Sequence, residues 1–433
     1  MYIDYIIKDK TAVTEKKLLE ILNLNFDFAN ANNNSPAHNW HAFPAKFPPQ
    51  IPEIFINHLT SENSIVLDPM MGSCTTLIEA LRLKRNVIGF DVDPLSVLIG
   101  KAKFASLENE KLEEYAGIIV NNAKLRFSFK LSEIEVELEK RFDKETSEFL
   151  NYWFLRETQL ELLALLSEIE KISDEDYQHF FKMIFSSIII TKSGGVSLSY
   201  DLAHTRPHKV AKKPSSAILE FVKKTKKITE KYINLNAAAK EVTIKRCDVK
   251  EIPLPDNSID LIVTSPPYAN NAIDYIRAHK FSLVWFGYSI SQLKNIRKEL
   301  IGSENVFMES ILDFPPLATA IIEELNKQNR KKSIILSKYY GQMKLALTEM
   351  FRVLKNDSAA IIVVASSILS GIDVKTHLCL GEIGESVGFK LIKIASRNLD
   401  RNKRMMPASF NNAQSGIEAR MHTEFILGFC KLS

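Results

Sequence analysis

From Ser64 onward the chain alternates short apolar strands with amphipathic helices, and this rhythm restricts the fold more than any other feature. SIVLD (64–68) precedes a helix near 75–84, and NVIGFD (86–91) precedes a helix from about Pro94. VTIKRCD (242–248), IDLIVT (259–264) and AAIIVVA (359–365) read as further strands. After a helix near 375–387 come FKLIKIA (389–395) and TEFILGFC (423–430). Strands separated by helices pair in parallel, because each helix carries the chain back to the starting edge. The pattern predicts an α/β, doubly wound, mostly parallel Rossmann-like sheet.

The rhythm breaks between about 105 and 240, where charged helical segments (107–145, 155–172, 176–191, 214–235) replace strands. A smaller interruption near 288–336 precedes a helix on which Met343, Leu347, Met350, Phe351 and Leu354 recur at helical spacing. Four segments are expected: an N-terminal helix (Thr14 to Leu24) and polar linker over 1–37, half of the sheet domain over 38–105, a helical insertion over 106–240, and the other half over 241–433. With 433 residues, 45% hydrophobic and 25% charged, the chain can bury a large core. The net charge of +4 is too small to identify a nucleic-acid binder by itself. Cys74, Cys247, Cys379 and Cys430 are scattered, which suggests neither a zinc site nor a disulfide framework. Asp4, Lys8 and Asp9 interrupt any secretory apolar run, and no stretch approaches the ~18 apolar residues of a membrane span, so a cytoplasmic location is expected.

VLDPMMGSCTTLIEAL (66–81) reads as strand, tight turn and helix start, with Thr76 and Glu79 spaced as a capping box. Gly72 lets the backbone approach a ligand at the positive end of the helix. Asp91 follows Gly72 by 19 residues at the next strand end, where an acid accepts from ribose hydroxyls. The loop lacks both G-x-G-x-x-G and a P-loop lysine, so an adenosine with a cationic tail suits it better than a dinucleotide or a triphosphate. Asp68 would pair with the ammonium of such a tail, and Asp248 would accept from the adenine amine. A single Asp-Pro after a strand is usually only a turn former; three phased acids around Gly72 argue for a crevice.

TSPPYANN (264–271) ends a buried strand in two prolines, which fix φ and remove two backbone donors. The hydroxyl of Ser265 and the carbonyl of Pro266 then form a rigid pair of acceptors, with Pro267 holding the turn. Such a pair suits an exocyclic aromatic amine: accepting both N–H protons frees the nitrogen lone pair for an electrophile. Tyr268 offers a flat face to a base, which would have to leave a duplex to reach it.

DPMMGSCTT, GFDVDP and TSPPYANN resemble the cofactor, ribose and catalytic motifs of the S-adenosylmethionine-dependent amino-methyltransferases of DNA, which modify cytosine N4 or adenine N6. The serine at 265 resembles the cytosine-N4 branch. HNWHAFPAKFPPQIP (38–52) is similar to the family's extra cofactor motif, with Phe43 the expected contact. The resemblance implies S-adenosylmethionine as cofactor, its methionyl part near Asp68, Gly72, Ser73 and Thr75, its ribose on Asp91 and its adenine near Asp248. It also implies a seven-stranded methyltransferase sheet ending in an antiparallel hairpin. Cys74 departs from the family, which commonly has a second glycine there. Amine methylation needs no covalent intermediate, so Cys74 is not expected to act as a nucleophile.

DNA is the expected partner. Ten Lys or Arg against three acids lie between Lys192 and Lys231, and Arg206, Lys209, Lys212 and Lys213 on a predicted loop are the candidates for phosphate contact. KKTKK (223–227) reads as a solvated helix face. In the mostly apolar segment 275–288, Arg277, His279 and Lys280 are weaker DNA candidates. His38 and His41 lack a third ligand and are assigned to capping or packing, so no metal is expected. Four readings stay open: methylation of cytosine N4 in DNA, of adenine N6 in DNA, of an RNA amine, or a catalytically silent DNA-binding specificity subunit. A cognate restriction endonuclease and the oligomeric state are left undetermined.

Overall fold

A computed structural model describes residues 10–28, 35–43, 46–191, 195–199, 213–237, 240–269, 275–302, 313–398 and 423–433. Five strands, β1 (Ile65–Asp68), β2 (Asn86–Asp91), β3 (Val242–Arg246), β4 (Ile259–Thr264) and β5 (Leu354–Ala365), run parallel. A short ribbon of β6 (Ile368–Leu369) and β7 (Ile372–Asp373) follows. Then β8 (Lys390–Asn398) and β9 (Thr423–Lys431) pair antiparallel, with β9 also antiparallel to β5. The seven-stranded order is β3-β2-β1-β4-β5-β9-β8.

Alternation along the strands explains why helices cover both faces. Ala359, Ile361 and Val363 of β5 enter one core, and Ala360, Ile362 and Val364 enter the other. Every residue from 359 to 365 is buried, as in a strand packed on both sides. The direction of winding reverses between β1 and β4: one crossover leads outward from β1 through β2 to β3, and the next returns to β4. Loops leaving the carboxyl ends of β1 and β4 therefore diverge and leave a crevice between them.

The helical insertion shares the first of these cores. Residues such as Leu112, Leu163 and Phe185 are continuous with Val66 and Leu261 of the sheet. Trp285 is fully buried at the junction, with Phe142 and Phe154 meeting its ring edge-on at interplanar angles of 88° and 89°. The segment expected as one helical run over 107–145 breaks at Lys130 and again at Phe142. Asp143 starts the next helix by accepting from the Thr146 amide at 2.9 Å, because a short acidic side chain satisfies an end donor that a continuous helix would not expose.

The N-terminal helix spans Lys10–Ile21, four residues earlier than the apolar pattern indicates. Leu18 of this helix and Leu22 just after it press on the sheet at Gly428, where an added Cβ would come within 2.4 Å of Leu22 Cδ1. Phe26 stacks on Phe55 with centroids 5.8 Å apart and is fully buried. Truncation of a buried ring leaves a cavity, so Phe26→Ala is expected to lose about 3–5 kcal/mol of stability, read as a lower urea midpoint. A loss within experimental error would mean that this segment is not part of the core.

Candidate active site

The loop after β1 turns through two left-handed residues, Gly72 (φ +45°) and Cys74 (φ +67°), before the helix Thr75–Arg82. Cys74 thus occupies a conformation that favours glycine, at a cost of order 1–3 kcal/mol. The helix Pro94–Phe104 accommodates it: at Gly100 an added Cβ would lie 3.2 Å from the Cys74 sulfur, so glycine leaves room for the thiol. One turn further on, the buried Lys103 ammonium donates to the Ser73 carbonyl at 2.8 Å. Burial pushes the Lys103 pKa down to about 8.

The expected capping box does not form. Cys74 is the N-cap and makes no side-chain cap bond, while the Thr76 hydroxyl donates to the Val263 carbonyl at 3.1 Å. Glu79 is wholly buried and bonds His38 Nε2 at 2.7 Å and Arg82 Nε at 2.9 Å. The i, i+3 spacing that suggested a cap is here a helix face turned inward.

Asp68, at the tip of β1, is 2% exposed and accepts from the Thr264 hydroxyl at 2.7 Å and the Met70 amide at 3.2 Å. Burial, opposed by these bonds, pushes its carboxyl up to about 6. Asp91, ending β2, accepts from the Gly72 amide and the Asp93 amide, each at 2.9 Å. Burial, then the Asp93 charge, raises its pKa. Asp93 caps the Pro94–Phe104 helix through the Leu95 amide and pairs with His279 Nδ1. Asp248 lies two residues beyond β3, which ends at Arg246, and pairs with Lys250 at 3.2 Å.

One cleft at the carboxyl ends of β1 and β4 is lined by Phe43, Asp68, Gly72, Ser73, Thr75, Asp91, Asp248, Ser265 and Pro267. Asp68 and Ser265 therefore face a common space, joined by the bond from Thr264, the residue before Ser265. Pro266 is buried and Tyr268 half-buried; neither lines the cleft. The Tyr268 hydroxyl instead donates to Glu424 Oε1 at 2.9 Å.

Sequence reasoning missed several parts of this cleft. Asp93, Cys247, Tyr275 and Glu299 through Ile301 also line it, the last three from the smaller insertion. Only Asp93 had a local signal, an acid immediately before a proline at a helix start. His279 is buried against Asp93 and Phe43, so it is no DNA contact. His38 bonds Glu79, and His41 bonds Ser186 Oγ at 2.8 Å, in agreement with a packing role. Lys213 is exposed, whereas Arg206, Lys209 and Lys212 lie outside the described residues. Lys223, Lys226 and Lys227 are exposed on the helix Ala217–Thr229, as a solvated face requires, whereas Lys224 is half-buried and burial pushes its ammonium down to about 8, so it departs from that face.

The lining chemistry discriminates among ligands. Five carboxylates, Asp68, Asp91, Asp93, Asp248 and Glu299, line the cleft against one ammonium, Lys46, whose Nζ donates to the His38 carbonyl at 2.5 Å. Such a set repels phosphates and fits a cationic nucleoside. At Gly72 an added Cβ would come 3.2 Å from Phe43 Cε1, so a side chain there would crowd the cleft wall.

The sheet order, the reversed C-terminal strand and the acid-lined cleft at the β1/β4 switch point define a Rossmann-like methyltransferase fold. Residues 5–101 match the family described as DNA methylase. The Type II methyltransferase M.MvaI of Kocuria varians is 23% identical over 97% of both chains. The Type II methyltransferase M.BsoBI of Geobacillus stearothermophilus is 24% identical over 84% of this chain and 81% of its own. The N-terminal part of the chain is thus similar to the DNA methylase family, and relatives similar over most of its length are Type II methyltransferases. No helix among the described residues is long and apolar enough to cross a membrane.

Of the four cysteines, Cys74, Cys379 and Cys430 are buried and Cys247 is half-buried at the cleft. Burial pushes the Cys74 thiol up to about 12, which keeps it protonated and poorly nucleophilic. Native-state alkylation is expected to modify Cys247 first, faster as pH rises because its own thiol is raised by burial. Peptide mass spectrometry reads the outcome, and early labelling of Cys74 would contradict this packing.

Proposed function

We propose that the protein transfers a methyl group from S-adenosylmethionine to the exocyclic N4 amine of cytosine in DNA, as part of a restriction-modification system. The observation that carries this reading is the shared cleft of Asp68 and Ser265, a carboxylate-lined pocket for a cationic nucleoside beside the Ser265 hydroxyl as an acceptor for an amine. The match to a family described as DNA methylase and the relatives named Type II methyltransferases support DNA as substrate; a cognate endonuclease is the proposed partner. The serine at 265 favours cytosine over adenine.

When bound, S-adenosylmethionine supplies an electrophilic methyl group. Asp68, with the loop residues Gly72, Ser73 and Thr75, holds the methionyl end; Asp91 accepts from the ribose hydroxyls; Asp248 accepts from the adenine amine; Phe43 closes on the loop. Ser265 Oγ and the Pro266 carbonyl accept the two N–H protons of the target amine, which turns its lone pair out of conjugation with the ring. Pro267 keeps both acceptors rigid, and Tyr268 offers its ring to the extruded base. Transfer would leave S-adenosylhomocysteine and release one amine proton to solvent, and the chain's part would be to hold the amine in line with the methyl donor. Arg206, Lys209, Lys212 and Lys213 neutralise phosphates.

Digestion of DNA methylated by the purified protein, followed by nucleoside mass spectrometry, tests the product. N4-methylcytosine is expected; N6-methyladenine alone would transfer the assignment to adenine, and 5-methylcytosine would overturn amine chemistry. A preference for RNA in labelled methyl transfer would replace the substrate, and DNA binding without S-adenosylmethionine binding would leave a specificity subunit.

Ser265→Ala is expected to lower methyl transfer by about 100-fold with cofactor affinity nearly unchanged, as loss of one aimed group does. Asp91→Ala should instead raise the cofactor Kd, and calorimetry separates the two effects. Burial pushes the Asp68 carboxyl up to about 6, and a cationic ligand favours its ionised form. Cofactor binding should therefore release protons near pH 6 and weaken as pH falls below that value. Calorimetry in buffers of different ionisation enthalpy measures the release; zero release at pH 6 would remove Asp68 from the cationic subsite.

A further inference from the structure

The C-terminal strand pair reaches the proline knuckle through one buried ion pair. Arg397 of β8 and Glu424 of β9 are register partners on adjacent antiparallel strands. Direct opposition is the arrangement in which cross-strand charges interact. Arg397 grips Glu424 Oε2 with Nε and a terminal nitrogen, both at 2.7 Å, and the two residues are 6% and 8% exposed. The other carboxylate oxygen, Oε1, accepts from the Tyr268 hydroxyl at 2.9 Å. Glu424 also pairs with Ala365, the last residue of β5, so the sheet register itself brings this carboxylate to the edge where β4 runs into Ser265.

We propose that Glu424 and Arg397 are positioning residues for base methylation: the Arg397–Glu424 pair clamps the Tyr268 hydroxyl and so sets the plane of the ring against which the extruded base stacks. The proposal rests on the amine-methylation reading of the site. A phenol tethered at one end by a carboxylate keeps only rotations that preserve the bond, and the base then meets a ring of defined tilt next to Ser265. The direction of the bond is set as well. Burial, followed by the Glu424 charge, holds the Tyr268 phenol protonated far above its ordinary range, so it donates at every working pH. Arg397 in turn neutralises a carboxylate that would otherwise be buried unpaired. Neither Glu424 nor Arg397 lines the acid-lined cleft, and Tyr268 stands beside it, three residues after Ser265 on its rim, so the clamp acts on the ring rather than on the cofactor.

The test uses the full chain, tritiated S-adenosylmethionine and unmethylated phage DNA. Tyr268→Phe removes only the hydroxyl and leaves the ion pair intact, so folding is not at risk. Loss of a hydrogen bond to a charged group corresponds to a drop in kcat of about 10-fold, with KM for S-adenosylmethionine unchanged. Glu424→Ala is expected to lose a similar factor, and Tyr268→Phe combined with Glu424→Ala no more than either alone, because both break one contact. Glu424→Gln keeps a carbonyl acceptor and should recover part of the loss. Wild-type kcat in Tyr268→Phe, losses that multiply in the double variant, or an equal rise in cofactor KM would overturn the clamp. A wild-type protein that is inactive on DNA overturns the functional reading and the proposal with it; an active wild type with an indifferent Tyr268→Phe overturns the proposal alone.

Discussion

The Thr264 hydroxyl donates to the buried Asp68 carboxylate at 2.7 Å, and through this bond the tips of β4 and β1 meet. The sheet order makes the meeting possible, since β1 and β4 are neighbours whose following loops diverge. Everything proposed for the site depends on it. The loop proposed to hold the cationic ligand leaves from one side of the bond, and the knuckle proposed to bind the amine begins one residue after the other side. A carboxylate buried without such a donor would take up a proton well above its ordinary range; here burial is partly offset and the group sits near 6.

The loop after β1 carries its own strain and its own support. Cys74 adopts a left-handed conformation that an L-residue reaches only at some cost, and its side chain needs room. Gly100 supplies the room and Lys103, three residues on and hence on the same helix face, ties down the Ser73 carbonyl. An ammonium so deeply buried is costly, and its pKa falls accordingly to about 8. The departure from glycine at 74 is thus absorbed by two residues of the following helix. On the opposite flank, Asp93 joins the cleft acids to the helix after the knuckle through His279, and Glu424 joins the knuckle to the last strand. The segment following β4 is gripped from both sides.

Much of this architecture was legible because its signals are local. Strand alternation, the 19-residue step from Gly72 to Asp91 and the proline pair after β4 each sit within a short window, and the Gly72 amide does bond Asp91. The departures have physical causes. Thr76 and Glu79 have cap spacing, but the same i, i+3 spacing describes an inward helix face, and tertiary partners at Val263 and His38 decided between them. Lys130 and Phe142 break a helical run that charge pattern alone leaves continuous. Arg397 and Glu424 could not be tied to Tyr268 from sequence, because 156 residues separate Tyr268 from Glu424 and only the folded strand register brings the three side chains together.

The account stands on the methyl donor and the target amine entering one cleft. A crystal structure with sinefungin, in which an amine occupies the place of the transferred methyl group, measures this directly. Adding a hydrogen bond to a near-attack distance, the account predicts that amine within roughly 6 Å of Ser265 Oγ, on the side of Asp68. A separation beyond roughly 10 Å, or binding on the other side of the sheet edge, would contradict it.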